Sequence, residues 1–375
     1  MLPNEMLVGR RDARPRLETP CLIVDLDALE RNIARMAALC RDADIALRPH
    51  AKAHKCADIA WLQLAAGACG LCVATVGEAE ALAAAGISDL LLTSTLGDRG
   101  KMERLAALLR RDIRVRIVVD CHEMVEMFAS VAAAMNVRFD VLIDVDMGRH
   151  RAGIGDAAAA AALAGRISSE RDLRLLGIQA YAGHLSHMRD FPDRRHGAAE
   201  AAFLITHIRD AVAGFLAAPP VVTGGSTGTL LLDLEAKLFT ELQCGSYAFM
   251  DTEYQVVDPD GVGGAPFEPS LFLQSSVISN RHAGFVTTDG GDKRLASKYG
   301  EPPRIQRGAP VGSSYRSLSD EHGQVQLPPE THVPLGARIE CIIPHCDPTV
   351  NLFDHLHVVR QDELVDIWPV TARGA

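Results

Sequence analysis

Ile45-Ala46-Leu47-Arg48-Pro49-His50-Ala51-Lys52-Ala53-His54-Lys55 joins a short apolar run to a loop crowded with side-chain nitrogen. Ile45 to Leu47 reads as a strand, so the basic loop sits at the strand's C-terminal end. In a barrel of parallel strands, a lysine there is where a cofactor-bound amine would sit. Lysine forms Schiff bases with carbonyls, and burial or neighbouring cations lower its pKa toward neutrality. A solvated basic face would have the same composition. The rest of the chain decides between the two.

Outward from this stretch the sequence falls into a rhythm of short apolar strand, loop and amphipathic helix. Strands are expected at Ala46–Arg48, Leu71–Ala74, Leu90–Thr93, Val115–Val119, Val141–Val145, Gly177–Ala180, Val221–Thr223 and Glu241–Cys244. Helices are expected at Val76–Ala85, Lys101–Arg110, His122–Met135, Ala157–Ile167 and His196–Ala217. This alternation predicts parallel β/α units. Eight strands beginning with the one before Lys52 would close a TIM-type (β/α)8 barrel. A doubly wound open sheet shares the alternation. The barrel is preferred because chemically able residues recur just after so many strands, and barrel strand ends converge on one mouth.

After Tyr254 the texture changes. Asp258-Pro259-Asp260-Gly261-Val262-Gly263-Gly264 marks a boundary. Beyond it Leu271–Ile278, Gly284–Thr288, Ala337–Ile343, Leu356–Arg360 and Leu364–Trp368 alternate with period two. They predict a C-terminal antiparallel β domain. The expected division is a barrel over 22–255, with 1–21 and 256–375 in the β domain. The strand at Leu22 is a candidate to pair with that second domain.

The chain has 375 residues, a net charge of −10 and 48% hydrophobic residues, enough for a large core. The acidic balance argues against nucleic acid as a partner. Its 9 cysteines are scattered singles, as in a reducing cytoplasm. Cys69 and Cys72 form an isolated C-x-x-C, and Cys72 reads as part of a buried strand. Residues 1–20 carry four arginines but no apolar core of a secretory signal, and no run is long enough to span a membrane.

Five segments could carry chemistry. Thr223-Gly224-Gly225-Ser226-Thr227-Gly228-Thr229 follows the seventh strand, where backbone N–H groups and hydroxyls can cradle a phosphate. Gly245 and Ser246, in Cys244-Gly245-Ser246-Tyr247, are placed to complete that pocket. Arg151 follows the fifth strand and Tyr181, His184 and His187 the sixth; an imidazole suits proton transfer. His345 and Asp347 flank one residue after an apolar strand, so both can face the same side. Imidazole plus carboxylate suits Mn²⁺, Mg²⁺ or Zn²⁺.

Together these motifs resemble the fold-type III pyridoxal-phosphate enzymes, alanine-racemase-like barrels with a C-terminal β domain. Within them the chain is similar to the D-threonine aldolase and D-serine dehydratase group. The resemblance rests on Thr19-Pro20-Cys21-Leu22, Arg48-Pro49-His50-Ala51-Lys52, Gln179-Ala180-Tyr181-Ala182-Gly183, Thr223-Gly224-Gly225, Gln243-Cys244-Gly245-Ser246-Tyr247-Ala248-Phe249-Met250-Asp251 and His345-Cys346-Asp347-Pro348-Thr349. It implies that Lys52 holds pyridoxal 5′-phosphate as a Schiff base and that Arg151 meets the phenolic oxygen. Gly225, Ser226, Thr227 and Gly228, with Gly245, Ser246 and Tyr247, would hold the phosphate. Tyr181 would lie by the ring, His187 would be the catalytic histidine, and His345 with Asp347 would bind the metal, Mn²⁺ first among the candidates. In the group, H-x-D marks aldolases and H-x-C dehydratases, so Asp347 points to an aldolase, including those acting on 3-hydroxy-D-aspartate. Ser226 in the glycine loop, His184 after Tyr181 and the Asp289–Lys293 stretch depart from the usual aldolase pattern. A D-serine or D-threonine dehydratase and a non-catalytic cofactor carrier are the alternatives. The resemblance also implies a homodimer.

Overall fold

The computed structural model describes residues 2–264 and 266–375; Met1 and Ala265 lie outside the described residues. The chain opens with β1 (Cys21–Asp25) and α1 (Leu26–Asp42). Asp25 caps α1 by accepting a hydrogen bond from the Ala28 N–H at 3.1 Å. The helix buries Leu29, Ile33, Met36 and Cys40, a stripe at helical spacing.

The alternating region then runs β2 (Ala46–Leu47), α2 (Ala57–Ala65), β3 (Leu71–Val73), α3 (Val76–Ala84), β4 (Asp89–Leu92), α4 (Arg99–Leu109), β5 (Arg114–Val119) and α5 (His122–Met135). It continues through β6 (Phe139–Val145), α6 (Ala157–Ser168), β7 (Leu173–Ala180), α7 (Phe191–Ala213), β8 (Val221–Gly224), α8 (Leu230–Ala236) and β9 (Glu241–Leu242). All eight expected strands are present. They form one parallel sheet in the order β2-β9-β8-β7-β6-β5-β4-β3. The ring closes between β2 and β3, where the N–H groups of Cys69 and Cys72 donate to the carbonyls of Leu47 and Pro49, both at 2.8 Å. Cys72, Leu91, Val118 and Leu142 pack together as a separate cluster contributed by four successive strands. The strands β2 and β9 are shorter than expected because the chain leaves each for a loop that lines the mouth. The helices α2 and α8 were not among those expected from sequence. The alanine-rich α2 lacks a strong apolar stripe, and α8 directly follows the glycine loop.

The second unit contains α9 (Thr252–Gln255), β10 (Leu271–Ser279), β11 (Phe285–Thr288), β12 (Arg304–Arg307), β13 (Ser314–Ser317), β14 (Gly323–Gln326), β15 (Arg338–Ile342), α10 (Cys346–Val350), β16 (His355–Arg360) and β17 (Glu363–Pro369). The five strands expected here are found. β12, β13 and β14 escape the sequence pattern because they are short and largely polar. Pairing is antiparallel with one exception: β1 runs antiparallel to β10 and parallel to β16. Leu22 to Asp25, which the expected division gives to the barrel, therefore hydrogen-bond within this second sheet. Among the described residues no helix is long and apolar enough to cross a membrane.

Candidate active site

The basic stretch after β2 is divided by its local geometry. Arg48 is 1% exposed and turns toward the strand N-termini, where it meets Glu241 Oε1 at 3.0 Å and Asp89 Oδ1 at 2.6 Å. His54 is buried against Gln63 at 3.2 Å. Ala51–Ala53 forms a single 3-10 turn, and the His50 ring accepts from the Lys52 N–H at its start, at 3.4 Å. This turn points Lys52 into a cavity of about 580 Å³ at the barrel mouth. Its side chain remains 41% exposed, with Nζ 3.7 Å from Asp347 Oδ1. Burial works against the Lys52 ammonium, but Asp347 outweighs it and raises the pKa above that of an ordinary lysine. Conversely, burial pushes the Asp347 carboxyl up, and Lys52 and His345 reverse this to hold it below the usual range.

Arg151, Tyr181, His187, His345, Gly225, Ser226, Thr227, Gly245 and Ser246 line the same cavity as Lys52. Lys52 Nζ and Arg151 Cζ lie 6.0 and 5.7 Å from the Tyr181 ring centre, so two cations face one aromatic ring. Two of the residues expected at the phosphate do not line the cavity. Gly228 packs on the backbone of Ser186, where a Cβ would come within 1.9 Å of the carbonyl oxygen. Tyr247 buries its ring in the core, and its hydroxyl accepts from Gln63 at 3.0 Å. Its backbone N–H still serves the loop by donating to Thr227 Oγ1 at 3.1 Å.

Beneath the loop lies Asp233. The Thr229 hydroxyl donates to Asp233 Oδ2 at 2.6 Å, and the Ser226 N–H approaches the same oxygen at 3.4 Å. Gly225 has φ +76, and a Cβ there would lie 2.7 Å from that oxygen, so glycine is needed for both conformation and space. Burial raises the Asp233 pKa to about 7, against the lowering effect of these hydrogen bonds. The glycine loop and its hydroxyls thus form a small polar cradle that fits a phosphate, with Lys52 across the cavity.

The opposite end of the cavity is built by the second unit. His187 lies between Tyr254 and Tyr299, with ring centres at 4.2 and 4.0 Å. His345 directly follows the strand region that includes β15 and precedes α10. Its Nε2 is 3.9 Å from Asp347 Oδ2; its Nδ1 is 3.2 Å from Glu253 Oε2 and 3.4 Å from Asp251 Oδ2. Burial opposes the His345 imidazolium, but Asp251, Asp347 and Glu253 together raise its pKa. Among the described residues both His187 nitrogens, Glu253 Oε2 and His345 Nδ1 are buried without a hydrogen-bond partner. One ligand atom from each of these three residues falls within 4.8 Å of the others. His345 Nε2 and Asp347 Oδ2, 3.9 Å apart on the cavity wall, present the imidazole nitrogen and carboxylate oxygen that fit a divalent cation.

Glu253, Tyr254, Lys298 and Tyr299 also line or border this cavity, and no motif in the sequence marks them. Asp251 ends the Gln243–Asp251 motif, and Glu253 two residues later was the available signal. The stretch Ala296–Tyr299 offered none. It reaches the cavity because Glu253 Oε1 accepts from the Ser297 hydroxyl at 2.9 Å and from the N–H groups of Lys298 and Tyr299, both at 2.7 Å.

Residues 24–253 match the family described as alanine racemase, N-terminal domain. The chain belongs to this family. Residues 270–359 of this alanine-racemase-like chain match a serine dehydratase domain. Over 364 residues it is 37% identical to D-threonine aldolase of an Arthrobacter species, covering 97% of this chain and 94% of that protein. It is 34% identical to 3-hydroxy-D-aspartate aldolase of Paracoccus denitrificans strain Pd 1222, covering 96% and 92%. The crystal structure of D-threonine aldolase from Filomicrobium marinum superposes with a TM-score of 0.91 at 35% identity, covering 96% of this chain and 97% of that one.

Proposed function

We propose that this protein is a pyridoxal-phosphate- and divalent-metal-dependent aldolase that splits D-β-hydroxy-amino acids into glycine and an aldehyde. One observation carries the reading: Lys52, early in the chain, has its amine 3.7 Å from Asp347, far along it, in one cavity. A cofactor carrier has no need for that second group. The activities of the aldolase relatives support the same reading.

Bound at Lys52, pyridoxal phosphate supplies a sink for the electrons released at Cα, and a divalent ion at His345 and Asp347, Mn²⁺ in our reading, supplies a Lewis acid. The protein's own groups handle position and protons. The cradle of Gly225, Ser226, Thr227, Gly245 and Ser246 takes the phosphate, and Arg151 takes the phenolic oxygen. Tyr181 packs beside the ring. Burial, with His345 and Lys298 nearby, pulls the His187 pKa down to about 3, so the imidazole is neutral and is a weaker base than an ordinary histidine. His187 accepts the proton of the substrate's β-hydroxyl; that O–H pair closes the carbonyl as Cα–Cβ breaks. A proton returned to Cα leaves glycine. Asp347, where a cysteine would mark the dehydratase pattern, favours cleavage over elimination.

Lys298 favours an acidic substrate. It lines the cavity and stands 5.3 Å from the Tyr299 ring centre. A second carboxylate on the substrate's β-carbon would face this cation. Product analysis with Mn²⁺ tests the whole reading. Glycine with acetaldehyde from D-threonine, or with glyoxylate from 3-hydroxy-D-aspartate, supports it. A 2-oxo acid with ammonia would replace it with the dehydratase. Lys298→Met is expected to lower kcat/KM for 3-hydroxy-D-aspartate about tenfold more than for D-threonine, equivalent to about 1.4 kcal/mol.

The reading includes a homodimer, tested by light scattering, and a cytoplasmic location, supported by nine free thiols.

A further inference from the structure

We propose that Glu253 is the residue that positions His345 for metal binding, by fixing which ring nitrogen carries the proton. This rests on the reading of His345 and Asp347 as metal ligands. A histidine that binds an ion through Nε2 must carry its proton on Nδ1, and an acceptor beside Nδ1 enforces that tautomer and orients the ring.

Two carboxylates compete for that role, and their other bonds separate them. Asp251 is already engaged: its Oδ1 accepts from the Tyr254 N–H and its Oδ2 from the Cys346 N–H, both at 2.9 Å. Glu253 is 1% exposed and divides its oxygens. Oε1 is taken by the three donors of Ser297, Lys298 and Tyr299. Oε2 has no hydrogen-bond partner among the described residues and lies 3.2 Å from His345 Nδ1, nearer than Asp251 at 3.4 Å. Glu253 thus holds the loop that lays Tyr299 on His187 and also steadies the ring of His345. Proton acceptor and metal ligand are set by one side chain.

Glu253→Gln isolates this role. The three donors facing Oε1 force the amide oxygen to that side, so the loop stays pinned. The amide NH₂ then faces Nδ1 and favours the tautomer with its proton on Nε2, the nitrogen needed for the ion. Mn²⁺ affinity of the pyridoxal-phosphate-loaded enzyme, titrated by EPR, is expected to fall about 10–100-fold while the Schiff-base absorbance persists. An affinity within threefold of the parent overturns the inference, provided Asp347→Asn weakens binding in parallel. Mn²⁺ affinity unchanged in Asp347→Asn means that the ligand reading itself has failed, and the inference with it. If Glu253→Gln does not fold, ¹⁵N-histidine NMR of the Zn²⁺-loaded parent decides. A His345 proton on Nδ1 supports the proposal, and a metal-bound Nδ1 overturns it.

Discussion

The barrel carries a cluster of ionisable groups at each end, and they are built on opposite principles. At the strand N-termini Arg48 lies between Glu241 and Asp89, Arg116 adds to Glu241 at 3.1 Å, and Arg114 adds to Asp89 at 2.7 Å. Every charge in that cluster has an opposite neighbour. At the mouth the Lys52–Asp347 pair is loose at 3.7 Å, and buried atoms of His187, Glu253 and His345 have no partner. A closed network holds structure, whereas open donors and acceptors leave room for a ligand to complete them. Buried charge alone does not mark the active end; unmet bonding capacity does.

The largest effect expected is at the open end. Lys52→Ala should lower kcat/KM by at least about 1,000-fold and abolish the Schiff-base absorbance, while thermal unfolding stays cooperative. A variant that kept its absorbance would place the cofactor elsewhere and dissolve the contrast. At the closed end, Arg48→Met should leave Glu241 and Asp89 short of a buried partner and cost about 3–5 kcal/mol in denaturant unfolding. Mn²⁺ affinity of the folded fraction should match the parent's, because the two clusters do not touch. Loss of metal binding without loss of stability would reverse the assignment of roles.

Asp233 is an intermediate case: a half-buried acid that accepts two hydrogen bonds and has no charged partner among the causes of its shift. Its folded pKa of about 7 lies above the ordinary 3.8. Between those values the folded state holds a proton that the unfolded state has lost, so this group's contribution to stability declines as pH rises through that window. Asparagine keeps an acceptor for Thr229 and Ser226 without titrating. Asp233→Asn should therefore gain stability over the parent by about 2–4 kcal/mol on going from pH 4 to pH 8, read as a widening gap in unfolding midpoints. A gap that stayed constant with pH would mean that the acid is already solvated or paired.

The same contrast explains what could be read from sequence. The barrel strands announce themselves because strands covered on both faces are nearly all Val, Ile and Leu, as in Arg114–Val119 and Val141–Val145. Lys52, His187 and Gly225 each follow a barrel strand, so their convergence followed from the fold, whereas His345 and Asp347 follow β15 of the second sheet. Lys52 was singled out because only an amine forms a Schiff base, but nothing in the basic stretch showed that Arg48 turns away to pair with Glu241 and Asp89. Glu253, Lys298 and Tyr299 were hidden for another reason. Their place in the cavity depends on a tertiary contact between α9 and a segment more than forty residues later, and that contact has no periodicity to betray it. The polar strands β12 to β14 were equally silent.

The position of β1 between β10 and β16 has a consequence for synthesis. The last barrel strand leaves the ribosome with Leu242, but β1 must wait for β16 before both its edges are covered. At ordinary translation rates that interval is on the order of ten seconds. Until β10 emerges the run of Leu22, Ile23 and Val24 has neither neighbour, and from then until β16 one edge stays open, which makes the nascent polypeptide a natural client for chaperones.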